Sequence, residues 1–210
     1  MTSSLFTPLA ASLALLASMC GSAHASIASF GSAASFAEAS ALPATDGFNA
    51  LPLDFIPGPL ARSAGGYSYS VDASGGLYGT GSAADTWLST SLSGMTMTFG
   101  AFGGGVRAIG GNFFATDITG FLLEGATVTL TATDADGATA THLLTNALPS
   151  SFAGFVSTAA LVSLTVEVDS MGAWATANNL VAAVPEPGTY LLMLAGITAL
   201  VALHKRRPAG

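Results

Sequence analysis

Val128-Thr129-Leu130-Thr131-Ala132-Thr133 sets an apolar residue beside a threonine three times in succession. Side chains of a strand point alternately to its two faces, so Val128, Leu130 and Ala132 share one face and the threonines the other. That is the pattern of a half-buried β-strand. It recurs on both sides. Met95, Met97 and Phe99 alternate with Thr96 and Thr98, and Val162, Leu164, Val166 and Val168 alternate with Ser163, Thr165, Glu167 and Asp169. Further strands are expected at 67–71, 76–80, 106–114, 138–144, 152–157 and 173–182, separated by Gly, Pro, Asn and Asp clusters. No amphipathic helix competes with them. Many short, half-polar strands predict an all-β fold, a β-sandwich with jelly-roll-like connections.

Outward from this body, both ends of the chain turn apolar. Residues 1–25 read as a secretory signal: Leu9 to Met19 is a short apolar stretch, and Ala23-His24-Ala25 is a small-x-small cleavage site that leaves Ser26 as the new N-terminus. Its n-region has no Lys or Arg. The one cysteine, Cys20, lies inside this segment, so the processed chain has no disulfide and depends on packing alone. Residues 26–44, rich in Ser and Ala, are expected to pack loosely ahead of a sandwich domain spanning 45–183.

The other end runs Val184-Pro185-Glu186-Pro187-Gly188-Thr189, then an apolar stretch, then His204-Lys205-Arg206-Arg207. Pro187 suits the first position of a helix, and Glu186 suits the positive end of its dipole. A helix over 187–203 is roughly 25 Å long, within the usual range for a membrane span. Lys205, Arg206 and Arg207 act as a membrane stop and stay cytoplasmic, which puts the body on the outer side. A buried terminal helix and a plain single-pass anchor are the competing accounts.

Charge limits the partners. Between Ser26 and Ala183 the cations are Arg62 and Arg107, against eleven Asp and Glu. Such a surface repels phosphate backbones, which argues against nucleic acid.

Candidate chemistry in the body is sparse. Asp134-Ala135-Asp136-Gly137 is either a partial calcium loop or a hairpin turn, and the EF-hand spacing fails because Thr145 stands where the last Glu belongs. His142 is the only histidine between Ser26 and Ala183, too few for a histidine-cysteine metal site. Glu124 and Glu167 are the longer carboxylates a glycosidase pair would need. The glycine-rich run 100–106 lacks the Lys-Ser/Thr of a phosphate loop. Tyr67, Tyr69, Tyr78, Trp87 and Trp174 would stack on sugar rings if exposed. Neither a catalytic set nor a cofactor site emerges.

The tail resembles a PEP-CTERM sorting domain on Val184-Pro185-Glu186-Pro187, the apolar stretch and the Lys-Arg-Arg end. That resemblance implies recognition by an exosortase, a membrane transpeptidase-like enzyme of Gram-negative bacteria, with cleavage near Pro-Glu-Pro. It also implies entry by the Sec export machinery, a transient stay in the inner membrane, and delivery to the envelope or to an extracellular polysaccharide matrix. The body is similar to a galactose-binding-like jelly roll on Ala108-Ile109-Gly110-Gly111-Asn112-Phe113-Phe114, Phe152-Ala153-Gly154-Phe155 and Ala177-Asn178-Asn179-Leu180, with Asn178 where Asp is commoner. The expectation is a non-enzymatic surface or matrix protein; the alternative is a carbohydrate-binding module.

Overall fold

A computed structural model of the protein describes residues 26–170 and 172–185. Among these, two antiparallel sheets face one another. The larger has eight strands, in the order β1 (Ile27–Phe30), β12 (Phe152–Ser157), β9 (Ala108–Thr116), β14 (Trp174–Pro185), β7 (Asp85–Thr90), β6 (Leu77–Ser82) and β3 (Phe55–Ile56), with β2 (Ser40–Asp46) also paired to β14. The smaller runs β11 (Thr139–Leu144), β10 (Val128–Asp134), β13 (Leu161–Val168), β8 (Met97–Gly100), β5 (Tyr67–Ala73) and β4 (Leu60–Ala64). After β7 the chain changes sheet at every connection except the β10–β11 hairpin, so most neighbours in the sheets are distant in sequence.

The alternation that predicts the strands also builds the core. In β10, Val128, Leu130 and Ala132 are buried while the threonines between them are half-exposed. Met97 and Phe99 of β8 and Leu164 and Val166 of β13 join them from the same sheet. Ile109, Phe113, Leu88, Phe155 and Leu180 come from the other sheet. Phe99 and Phe113 meet across the interface edge to face, centroids 6.3 Å apart. Burial of each such side chain contributes about 1.5–3 kcal/mol.

Residues 26–44 are a correction to the expectation of loose packing. Ile27–Phe30 pairs in register with Ser157–Gly154 of β12. Ser32 then caps a short helix, α1 (Ala33–Glu38), by accepting the Ser35 N–H. The helix lays Phe36 on the outer face of the large sheet, where Phe36 packs 5.5 Å from Phe152 and 6.2 Å from Phe30. Gly154 makes this approach possible: a Cβ there would stand 2.5 Å from the Phe36 ring. The large apolar residues are Ile27, Phe30, Phe36 and Leu42, too few and too unevenly spaced to show a period. The sandwich therefore starts at Ile27, and through β14 it runs past 183 to Pro185.

One ion pair ties the sheets at an edge. Asp46, at the end of β2, is 6% exposed and accepts from Arg62 Nε of β4 at 2.8 Å, from Arg62 Nη2, and from the Tyr69 hydroxyl of β5 at 2.6 Å. Phe48 N–H adds a fourth bond, and its ring lies 5.6 Å below the guanidinium. Burial alone would raise the Asp46 pKa; the hydrogen bonds from Arg62, Tyr69 and Phe48 N–H, with the Arg62 charge, outweigh it and hold the carboxyl below the ordinary 3.8. Burial and the same carboxylate push the Tyr69 hydroxyl far upward, so it stays a donor.

Because the folded pKa of Asp46 is depressed, its contribution is fully present above pH 3.8 and is lost as pH falls through the lower folded value. Arg62→Ala is expected to cost about 2 kcal/mol in urea unfolding at pH 7, below the value for a fully buried pair because Arg62 keeps some solvent contact. Asp46→Asn is expected to flatten the acid limb of the stability curve below pH 4. Gly154→Ala is expected to cost about 1–3 kcal/mol by displacing Phe36.

Candidate functional site

β14 is the strand on which the functional reading turns. It pairs with β9 along most of its length, from Trp174↔Thr116 to Ala183↔Ala108. Its other edge pairs first with β7, at Thr176 and Ala177, and then with β2, from Leu180↔Asp46 to Pro185↔Ser40. Leu180, Ala182 and Ala183 are buried. A bulge at Asn178–Val181, with Asn179 at φ +49°, resets the register against β9. Asn178 Nδ2 donates to Asp85 Oδ1 at 3.1 Å, so this amide braces β7. The strand is thus held on both edges up to its last residues.

Val184 and Pro185 are the last residues of that strand. Val184 lies opposite Ala41, and Ala183 C=O accepts from Arg107 N–H at 3.2 Å. A proline at the final strand position withholds no donor that the ladder needs. Ser26 emerges at the same pole. Its N–H donates to Thr158 Oγ1 and its carbonyl accepts from Thr158 N–H, both at 3.2 Å, while Arg107 Nη1 donates to Thr158 C=O at 3.2 Å. Ser26 and Pro185, the first and last described residues, therefore lie together at one pole of the sandwich. Glu186, Pro187, Lys205, Arg206 and Arg207 lie outside the described residues, as do Ala23, Ala25 and the expected helix over 187–203. Among the described residues no helix is long and apolar enough to cross a membrane.

Residues 183–207 match the family described as the PEP-CTERM protein-sorting motif. The chain carries a PEP-CTERM sorting motif. No curated protein and no solved structure matches the chain. The PEP-CTERM segment implies sorting through an exosortase to the cell surface. Its matched region overlaps β14 by three residues, so no linker separates fold from signal.

The other candidates resolve into local structure. Asp134 is 2% exposed. Its Oδ1 accepts the N–H groups of Asp136 and Ala138 at 3.1 and 2.9 Å, and its Oδ2 accepts the Ser157 hydroxyl at 2.7 Å. Gly137 takes φ +83°, which a turn there requires. The Ser157 hydroxyl, and after it the backbone N–H groups, hold this carboxyl below the usual aspartate range. A calcium site needs converging oxygens, whereas Asp134 faces N–H and O–H donors. Among the described residues no group of three His, Cys, Asp or Glu is placed to hold a metal ion. His142 sits half-buried in β11, and Glu167 is exposed on β13, accepting from Thr96 Oγ1 at 3.2 Å.

The aromatic candidates separate by exposure. Tyr69 is buried in the core, Tyr67 and Trp87 are half-buried, and Trp87 packs edge to face on Phe114 at 4.9 Å. Tyr78 is 41% exposed, and Trp174 is half-buried with Nε1 donating to Ser91 C=O at 3.3 Å. These two line one groove of about 440 Å³ with Thr80, Ser89, Thr116 and Asp117, a size ordinary for a ligand site. Sequence reasoning named the five rings but missed the hydroxyls of Thr80, Ser89 and Thr116, which come from three strands that are not all neighbours in sequence.

Asp134→Ala is expected to lower the thermal midpoint by opening the turn and releasing Ser157. Millimolar calcium is expected to leave the wild-type midpoint unmoved; a clear rise on calcium addition would restore the cation site.

Proposed function

We propose that the chain is an exported, non-enzymatic surface or matrix protein that the inner membrane holds only while its tail remains. The Sec machinery delivers it and the signal is removed after Ala25. The apolar segment 187–203, stopped by Lys205, Arg206 and Arg207, then keeps the sandwich at the outer membrane–water boundary. An exosortase recognises Val184, Pro185, Glu186 and Pro187 and cuts there, and the body passes to the envelope or to an extracellular polysaccharide matrix.

The observation that supports this most strongly is the direct passage of β14 into the matched motif. A cut beyond Pro185 removes the anchor and leaves every strand pairing of the sandwich in place. The shared pole of Ser26 and Pro185 supports it too, since one face of the body then abuts the membrane during export. Among the described residues the carboxylates and His142 form no converging acid–base pair, which favours a structural or interaction role over hydrolysis.

A second reading, a carbohydrate-binding module, is favoured by the groove that Tyr78 and Trp174 line beside a row of hydroxyls. Sheet architecture by itself does not choose between the two readings.

Glu186→Ala is expected to keep full-length protein in the membrane fraction, while Glu38→Ala, at an exposed site in α1, is released as usual. Unchanged tail removal in Glu186→Ala would defeat the recognition role.

A further inference from the structure

The groove carries more than exposed rings. On β6 and β7, Leu77 and Leu88 point into the core, so Tyr78 and Ser89, opposite each other in register, point outward. Ser89 in turn faces Thr176 of β14, and Thr116 of β9 completes a triangle of hydroxyls: 3.0 Å from Ser89 to Thr176, 2.9 Å from Thr116 to Thr176, and 3.4 Å from Ser89 to Thr116. Two of their protons have backbone acceptors, Ala175 C=O for Ser89 and Trp174 C=O for Thr176. Ser89, Thr116 and Thr176 are buried, so the triangle is a satisfied brace that fixes the base of the groove beneath the two rings.

A loop supplies the far wall. Thr80 Oγ1 donates to Gly120 C=O at 3.2 Å and pins the segment after β9 over the sheet. Gly120 is at φ +80°, and a Cβ there would overlap Thr80 Oγ1, so the loop lies as close as a glycine permits. Asp117 shapes that loop: its Oδ1 accepts Thr119 N–H at 2.8 Å, the Thr119 hydroxyl at 2.6 Å and Phe121 N–H at 3.1 Å. Oδ2 makes no hydrogen bond to the described residues. The Thr119 hydroxyl first, and then the backbone donors, keep this carboxyl ionised below the usual range.

We propose that this groove binds a neutral, hydroxyl-rich glycan chain, with the Tyr78 and Trp174 rings against sugar faces and Asp117 Oδ2 bonded to sugar hydroxyls. This rests on the carbohydrate-binding reading and gives it a place and a ligand class. The rings offer apolar faces with a polar edge, which suits the alternating character of a pyranose. An ionised carboxylate accepts strongly from hydroxyl donors. No Lys, Arg or His lines the groove, and Asp117 does, so a polyuronate meets like charge and a neutral chain does not. Trp174 belongs to β14, and its indole is tied to Ser91, so the platform is rigid before a ligand arrives.

The test is affinity electrophoresis of the full chain, purified in a non-ionic detergent, through gels containing dextran, galactomannan, hydroxyethyl cellulose or alginate. At least one neutral polymer is expected to retard the wild-type protein, and alginate is not. Tyr78→Ala and Trp174→Phe are expected to weaken retardation by about tenfold and severalfold, the scale of a well-placed aromatic contact. Leu143→Ala, exposed on the other sheet, is expected to change nothing. Far-ultraviolet circular dichroism of each variant checks that the sandwich is intact. Wild-type retardation that both groove variants retain would overturn the groove while leaving carbohydrate binding standing. Absence of retardation by every neutral polymer would overturn both, and stronger retardation by alginate would overturn the ligand class.

Discussion

The structure depends on β14 being held on both edges. Among the described residues it is the last strand in sequence and an interior strand of the larger sheet, and it joins partners that the chain made far earlier: β2, β7 and β9. Until it docks, β7 and β9 have no common neighbour and β2 has no sheet to join. Such non-local closure carries a large loop-entropy cost, and the core across from Phe99, Leu130 and Leu164 offsets it. The same strand then leads directly into the sorting motif. The end of the body's strand and the start of the matched motif are therefore the same residues, 183–185.

This arrangement explains a feature of the edge. β2 contains Pro43, which cannot donate to a ladder, and Leu42 at φ +52°. The register between β2 and β14 slips between Ala182 and Val184, opposite that kink. Proline is tolerated at an edge strand or bulge, and β2 provides both. The irregular pairing lies just before the motif, so the final residues of β14 are held by fewer regular bonds than its middle. Asp46, with Arg62 and Tyr69, secures the opposite end of β2 to the second sheet.

Much of the fold was legible because burial and polarity alternate in β8, in β10 and in β13 from Leu164 to Glu167; Val162, expected on the buried face, is exposed and Leu161 is buried instead, where the register against β10 shifts at Thr133–Asp134. Val128 to Thr133 alternates without a break in both sequence and burial, and burial alone continues the alternation to Asp134. What escaped had no such contrast. β7 buries Thr86, Ser89 and Thr90 beside Leu88, so polar residues occupy both faces, Ser89 being satisfied by Thr116 and Thr176. β1 and α1 are short and mostly Ser and Ala, with one phenylalanine each, and their packing appears only once Phe152 and Gly154 are brought beneath them. The sorting motif was legible for a different reason: its proline–glutamate–proline run, apolar stretch and basic end are contiguous. The groove was not, since Tyr78, Ser89, Thr116 and Trp174 meet only through strand order.

The most direct test of the central claim is the intact mass of the protein released from cells. A chain that begins at Ser26 and ends beyond Pro185, without Lys205 to Arg207, is the predicted product, because it keeps all of β14. A released chain ending within 174–183, or one that retains the basic end, would contradict the claim that fold and signal meet at the end of that strand.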